Sequence, residues 1–152
     1  MRVRRQLKNE HQEKTCLVRS LRGFLLRFRP MGSFNSNPHD YGTPTRTGQT
    51  IIVGRVEDLP PGRVAAVDLP NGEELALYNV SGEFYASENS CPHRGAPLSE
   101  GFLCGHVIEC GLHGWQFDVR DGQCLTVSER IETFRVIVED GIIKVEIHKG
   151  QG

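Results

Sequence analysis

Apolar and polar residues alternate in short runs through the second two-thirds of the chain. Apolar side chains occupy every second position of residues 134–138 and again of residues 143–147. Period-two alternation places one set of side chains on a single face of a β-strand. Residues 75–80 are apolar on both faces, which is typical of a strand covered on both sides. The pattern therefore predicts short strands from residue 51 onward.

Four dipeptides that favour tight turns separate these runs. They are Asn71-Gly72, Ser81-Gly82, Asp121-Gly122 and Asp140-Gly141. Such pairs tolerate the positive φ values that two-residue hairpin loops require. We therefore expect an all-β domain, with an antiparallel β-sandwich as its base.

The first third of the chain has a different character. Residues 17–29 carry Leu and Phe at three- and four-residue steps among arginines, and residues 32–50 have the Gly, Ser, Asn, Pro and Thr content of a linker. We expect residues 1–48 to be a basic, poorly ordered N-terminal extension and residues 49–152 to be the folded domain. A membrane-surface helix, an organellar presequence and a translation start at Met31 remain alternatives.

Charge divides at the same point. Residues 1–50 carry ten Lys or Arg and three Asp or Glu, a net of +7, whereas residues 51–152 carry eight and sixteen, a net of −8. The basic residues are scattered and lack interleaved aromatic residues, so nucleic-acid binding is not expected. No apolar stretch is long enough to span a membrane, and no signal sequence is recognisable, so we expect a cytoplasmic protein.

The candidate chemistry lies in two pairs of Cys and His. Cys91 and His93 are separated by one residue, Cys110 and His113 by two, and sixteen residues lie between the pairs. Two thiolates and two imidazoles are the ligand set of a Rieske [2Fe–2S] centre. Each pair falls between predicted strands, and two loops on one β scaffold could supply one Cys and one His each.

Three other cysteines bear on this reading. Cys104 and His106 could join Cys110 and His113 in a zinc site, although only three residues separate His106 from Cys110. Cys16 and Cys124 have no partner at ligand spacing. An odd remainder of cysteines favours a reducing compartment.

The second pair continues into His113-Gly114-Trp115-Gln116-Phe117-Asp118. With Cys91-Pro92-His93-Arg94-Gly95 and Pro97-Leu98-Ser99-Glu100-Gly101, this stretch resembles the Rieske-type ferredoxins of bacterial aromatic-ring-hydroxylating dioxygenase systems. The resemblance covers residues 51–148. It implies one cluster per chain, held in a small subdomain of two loops. It also implies that Cys91 and Cys110 bind one iron while His93 and His113 bind the other.

The neighbours of these ligands indicate a low reduction potential. High-potential Rieske proteins resemble this chain at the ligands but have a Cys in each loop, joined as a disulfide, and a Ser that donates to a bridging sulfide. Here Ala96, Leu112 and Trp115 stand at those three positions. We therefore expect the low end of the Rieske range of roughly −150 to +300 mV.

The resemblance implies a soluble one-electron carrier that is not itself an enzyme. Its partners would be an NAD(P)H-dependent flavoprotein reductase and a terminal non-haem iron oxygenase, and no small-molecule substrate pocket is expected. The small subunit of an NAD(P)H-dependent nitrite reductase is the alternative, and a redox sensor that uses the basic arm is a third possibility. The chain is too short to carry an oxygenase active site as well.

Overall fold

The structure, a computed structural model, describes residues 3–5 and 48–147. Within them the regular structure consists of strands and two single-turn 3₁₀ helices, Val56–Asp58 and Leu98–Glu100. The strands are β1 (Val3–Arg5), β2 (Gln49–Arg55), β3 (Val64–Asp68), β4 (Glu74–Val80), β5 (Glu83–Glu88), β6 (Phe102–Cys104), β7 (Val107–Glu109), β8 (Gln116–Asp118), β9 (Thr133–Glu139) and β10 (Ile142–Ile147).

Seven strands form the base, in the order β1-β3-β4-β5-β9-β10-β2, with every neighbouring pair antiparallel. Only two residue pairs join β5 to β9, Ala86 with Phe134 and Ser87 with Thr133. The two halves of the base fold over one another, since buried residues of β2 and β10 share one core with those of β3 and β4. The predicted all-β, antiparallel sandwich is confirmed.

Strand β4 separates two hydrophobic cores. Leu75 and Leu77 face the core of the base, whereas Ala76, Tyr78 and Val80 face a second core that contains Cys91 and Cys110. The predicted covering of this strand on both sides is therefore confirmed. Because β4 belongs to both cores, it connects the base rigidly to the loops that carry the candidate ligands.

The four turn dipeptides all lie in turns. Ser81 and Gly82 have φ values of 53° and 97°, and Asp140 and Gly141 have 50° and 74°. Positive φ at both central residues is the requirement of a type I′ hairpin. Asn71-Gly72 joins β3 to β4. Asp121-Gly122 instead follows the short strand β8 and turns the chain into an isolated bridge between Phe117 and Cys124.

A second, three-stranded sheet lies above β4 in the order β6-β7-β8. Its inward face is the rung of Leu103, Ile108 and Phe117, all of them buried. This small sheet and the loops beside it form the predicted cluster-binding subdomain.

The predicted N-terminal extension falls mostly outside the described residues. Val3–Arg5 pair antiparallel with Ala65, Ala66 and Val67 at one edge of the base. Residues 6–47 lie outside the description, so the extension and its boundary at residue 48 stay predictions. Among the described residues, no helix has the length and apolar character needed to cross a membrane.

Candidate metal centre

The first candidate loop leaves the end of β5 and runs toward the 3₁₀ turn at Leu98–Glu100. The backbone N–H of Cys91 donates to the carbonyl of Ala96 at 2.9 Å, and the N–H of Gly95 donates to the carbonyl of Cys91 at 2.7 Å. These two bonds close a compact loop around His93.

The second loop, between β7 and β8, repeats the same pair of bonds. The N–H of Cys110 donates to the carbonyl of Trp115 at 2.7 Å, and the N–H of Gly114 donates to the carbonyl of Cys110 at 3.0 Å. In both loops the bonds join the Cys to the fourth and fifth residues after it. The histidines do not share one position in this frame, since His93 is two residues after its Cys and His113 is three. The two loops therefore have the same pair of backbone hydrogen bonds, although the spacing between Cys and His differs between them.

Two glycines allow this closure. Gly95 and Gly114 have φ values of 70° and 74°, a region that residues with a Cβ rarely adopt. Gly111, also in the second loop, has no positive φ. A Cβ there would make ordinary contact with the Glu100 carbonyl at 3.5 Å. Nothing in the structure explains the glycine at position 111.

Both candidate thiols are buried, with Cys91 1% and Cys110 2% exposed. Burial raises the pKa of the Cys91 thiol, and its hydrogen bond to the Cys110 thiol raises it further. The backbone N–H groups of His93 and Arg94 lie against the same sulfur and act in the opposite direction. The two sulfurs are thus adjacent, enclosed in the subdomain core, and within reach of N–H donors that would stabilise a thiolate.

The two candidate imidazoles lie beside each other at the exposed tip of the two loops. Nδ1 of His93 and Nδ1 of His113 are 3.1 Å apart, and the ring centroids are 4.4 Å apart at an interplanar angle of 74°. Both residues are exposed. The structure therefore pairs the two candidate sulfurs inside the core and the two candidate ring nitrogens at the surface.

This donor set fits a [2Fe–2S] cluster of the Rieske type. Such a cluster needs two thiolates on one iron and two neutral imidazoles on the other, with sulfides completing both shells. Within residues 3–5 and 48–147, no three His, Cys, Asp or Glu side chains are arranged around one metal ion.

The alternative zinc site is not supported. His106 lies in the turn between β6 and β7, where its Nε2 is 3.3 Å from the hydroxyl of Tyr85 on β5. Because no group of three potential ligands occurs in the described part of the chain, Cys104 and His106 do not assemble with Cys110 and His113 into a single-metal site.

Cys124 is buried in the same core as Cys91 and Cys110. Its sulfur is 3.1 Å from the hydroxyl of Thr126. Burial acts to raise its pKa, but hydrogen bonds from Thr126 and from the backbone N–H groups of Val127 and Gln116 outweigh burial and lower it. That Cys124 is not a ligand stays a prediction.

Two supporting residues were not recognised from the sequence. Trp115 is half-buried, and its ring stacks on that of His93. Asn89 is 6% exposed, accepts from the N–H of Ser99 at 2.8 Å and donates to Glu74 at 3.1 Å. The sequence signal available for Asn89 was a polar residue just before a loop that carries candidate ligands.

An open groove of about 620 Å³ lies on the base. Its lining includes Val56, Phe84, Val136 and Val138 and none of the four candidate ligands. The expectation that the protein has no substrate pocket stays a prediction.

Comparison with known proteins gives several relatives that this chain matches over most of their length. One relative is the ferredoxin component of the naphthalene 1,2-dioxygenase/salicylate 5-hydroxylase systems of a Ralstonia species. The two sequences are 45% identical over 96 residues, which are 62% of this chain and 91% of the relative. A chain in the complex of reduced oxygenase and oxidized ferredoxin of carbazole 1,9a-dioxygenase matches with a TM-score of 0.62 at 35% identity, covering 68% of this chain and 97% of that one.

A solved nitrite reductase NADPH small subunit also matches, with a TM-score of 0.57 at 26% identity, covering 64% of this chain and 97% of that one. The family model described as the Rieske [2Fe-2S] domain matches residues 49–136, a span that contains both loops. On this match, over more than half of its length, the chain belongs to the Rieske [2Fe–2S] domain family.

Proposed function

We propose that the protein is the ferredoxin component of an aromatic-ring dioxygenase system and is not itself an enzyme. The observation that carries the proposal is the division of the candidate site, with Cys91 and Cys110 enclosed and His93 and His113 exposed at the tip. A carrier needs its redox centre shielded on one side and accessible to partners on the other. The ferredoxin components among its relatives support the same role.

In this proposal Cys91 and Cys110 hold the inner iron, and His93 and His113 hold the outer iron through the nitrogens that face each other. When bound, the cluster supplies a one-electron couple. Two ferric ions, two sulfides and two thiolates sum to zero charge, so reduction adds only one negative charge. The backbone N–H groups of His93 and Arg94 stabilise negative charge on the Cys91 sulfur.

The imidazoles form the exit face of the carrier. Beside them Leu112 is 58% exposed and Arg94 is exposed as well. A small exposed tip of this kind suits the brief, low-area encounters of electron-transfer proteins. The electron donor in this proposal is an NAD(P)H-dependent flavoprotein reductase, and the acceptor is a terminal oxygenase.

The nitrite reductase small subunit is the second candidate, favoured by the structural neighbour of that description. The two proposals differ in the acceptor. Reduced protein is mixed anaerobically with a dioxygenase terminal component or with a nitrite reductase large subunit, and reoxidation is followed by absorbance. We expect rapid reoxidation by the oxygenase alone. Reoxidation only by the nitrite reductase component would replace the first proposal with the second.

The ligand assignment has its own test, in which Cys91→Ser is compared with Cys124→Ser. Both thiols are buried in the same core, but only Cys91 lies against Cys110. We expect Cys91→Ser to lose the visible absorption and the EPR signal of the reduced cluster, and Cys124→Ser to keep both. Retention of the cluster in Cys91→Ser, or its loss in Cys124→Ser alone, would contradict the assignment.

A further inference from the structure

The ring of Trp115 lies flat on the ring of His93. The centroids are 4.6 Å apart and the planes differ by 13°. Trp115 follows His113 by two residues and belongs to the second loop, whereas His93 belongs to the first. The stack therefore joins the two loops through an aromatic contact at the candidate ligand itself. Trp115 is the only tryptophan in the chain.

Trp115 is held on its own side by two further contacts. Its carbonyl accepts the N–H of Cys110 at 2.7 Å, which ties its backbone to the other end of the second loop. Its side chain is half-buried against the subdomain core, where its ring centroid is 6.4 Å from that of Phe117. Because backbone and ring are both anchored, the indole presents a fixed plane to His93.

His93 has few other restraints among the described contacts. Its ring is exposed and meets Trp115 on one face and His113 at its edge. An exposed imidazole without such a plane could turn about its side-chain torsions. The contact with Trp115 removes that freedom and covers one face of the ring from water.

We propose that Trp115 is a positioning residue for His93, which fixes the imidazole plane across the two loops and excludes water from one of its faces. The inference rests on the proposed role of His93 as an iron ligand. Groups that orient metal-bound imidazoles typically change metal affinity by 10- to 100-fold when removed. Water exclusion also disfavours the extra negative charge of the reduced state, so the contact lowers the reduction potential.

The test compares Trp115→Leu and Trp115→Phe with the matched control Tyr85→Leu. Tyr85 is, like Trp115, partly buried against the subdomain core, but its described ring contact is with His106 and not with a candidate ligand. Each protein is purified with its cluster. The readouts are the EPR spectrum of the reduced state, the reduction potential and the rate of cluster loss to a chelator.

We expect Trp115→Leu to shift the EPR g values, raise the potential and speed cluster loss about tenfold. Trp115→Phe keeps a flat ring and should give a smaller shift of potential in the same direction. Tyr85→Leu should lower the unfolding temperature and leave the spectrum and potential as in the wild type.

The proposal is overturned if Trp115→Leu has the wild-type spectrum and potential, or if Tyr85→Leu moves both as far. Should Trp115→Leu fail to hold a cluster, Trp115→Phe decides, and an unchanged potential in that variant ends the proposal. A wild-type protein that reduces no oxygenase but keeps these variant effects would refute the proposed function and leave this inference standing.

Discussion

Gly101 lets the first loop approach the strand that leads into the second. A Cβ at this position would collide with the carbonyl oxygen of Glu109, the residue just before Cys110, and would crowd the carbonyl of Leu98 as well. The φ of Gly101 is −78°, so an alanine there is not strained by its own backbone. The glycine is required by the close approach of two backbones, and this approach sets the distance between the loops.

We predict that Gly101→Ala destabilises the protein by roughly 1–3 kcal/mol, the usual cost of overpacking. The matched control is Gly54→Ala, since a Cβ at position 54 meets nothing within 4 Å. Chemical denaturation measures both. If the two substitutions changed the free energy of unfolding equally, the close contact with Glu109 would not destabilise the variant.

Individual residues differ in how far the sequence predicts them. Cys91, His93, Cys110 and His113 could be proposed as ligands because residue type and spacing carry the chemistry. The stack of Trp115 on His93 could not, because it joins two loops that are distant in sequence. Spacing describes neighbours along the chain, whereas this contact depends on where the fold places each loop.

At the scale of elements, the end of β8 is fixed by an ion pair. Asp118 accepts from the backbone N–H of Arg120 at 3.0 Å and from its Nε at 2.9 Å, and the carboxylate is only 14% exposed. The hydrogen bond from the Arg120 side chain holds the pKa of Asp118 below its ordinary value. A carboxyl whose pKa is lowered on folding stabilises the fold above its unfolded pKa, and this contribution is lost as the pH falls through the folded value.

We predict that Arg120→Gln makes the protein unfold at a higher pH during acid titration, because Asp118 then takes up its proton closer to its ordinary pKa near 3.9. Lys144→Gln is the control. It removes the partner of Glu139 in an ion pair whose carboxylate side is well exposed, where solvent screening leaves little net effect. Circular dichroism as a function of pH measures both. An unchanged acid midpoint in Arg120→Gln would contradict the expected role of the pair.

The pattern of apolar and polar residues predicted individual strands and turns. It did not predict the order of the strands in the sheet. Hairpins at Ser81-Gly82 and Asp140-Gly141 were predictable because turn and strands are adjacent in sequence. The pairing of β2 with β10 joins residues more than eighty positions apart, and no local pattern specifies it. The turn at Asp121-Gly122 was predicted, but its flanking segments form only a short strand and an isolated bridge.

At the scale of the whole molecule, positive charge is concentrated in the N-terminal extension and negative charge in the domain that follows it. Residues 51–152 carry eight Lys or Arg against sixteen Asp or Glu. A domain with a net charge of −8 creates a field that attracts a basic docking surface and speeds encounter. Salt screens such a field, since the Debye length is about 10 Å at 0.1 M and about 3 Å at 1 M ionic strength.

We predict that the second-order rate of electron transfer to the oxygenase falls steadily as ionic strength rises. Stopped-flow mixing of reduced protein with the oxygenase measures it, and sucrose at matched viscosity controls for slower diffusion. A rate that is independent of salt would contradict electrostatic attraction between the domain and the oxygenase. It would not bear on the ligands of the redox centre.

The central claim is a low-potential Rieske cluster held by Cys91, Cys110, His93 and His113. A potentiometric titration followed by EPR tests it most directly. The account predicts a single one-electron transition near the low end of the window of roughly −150 to +300 mV. A midpoint near −400 mV, as for all-thiolate clusters, or one above about +150 mV would contradict it.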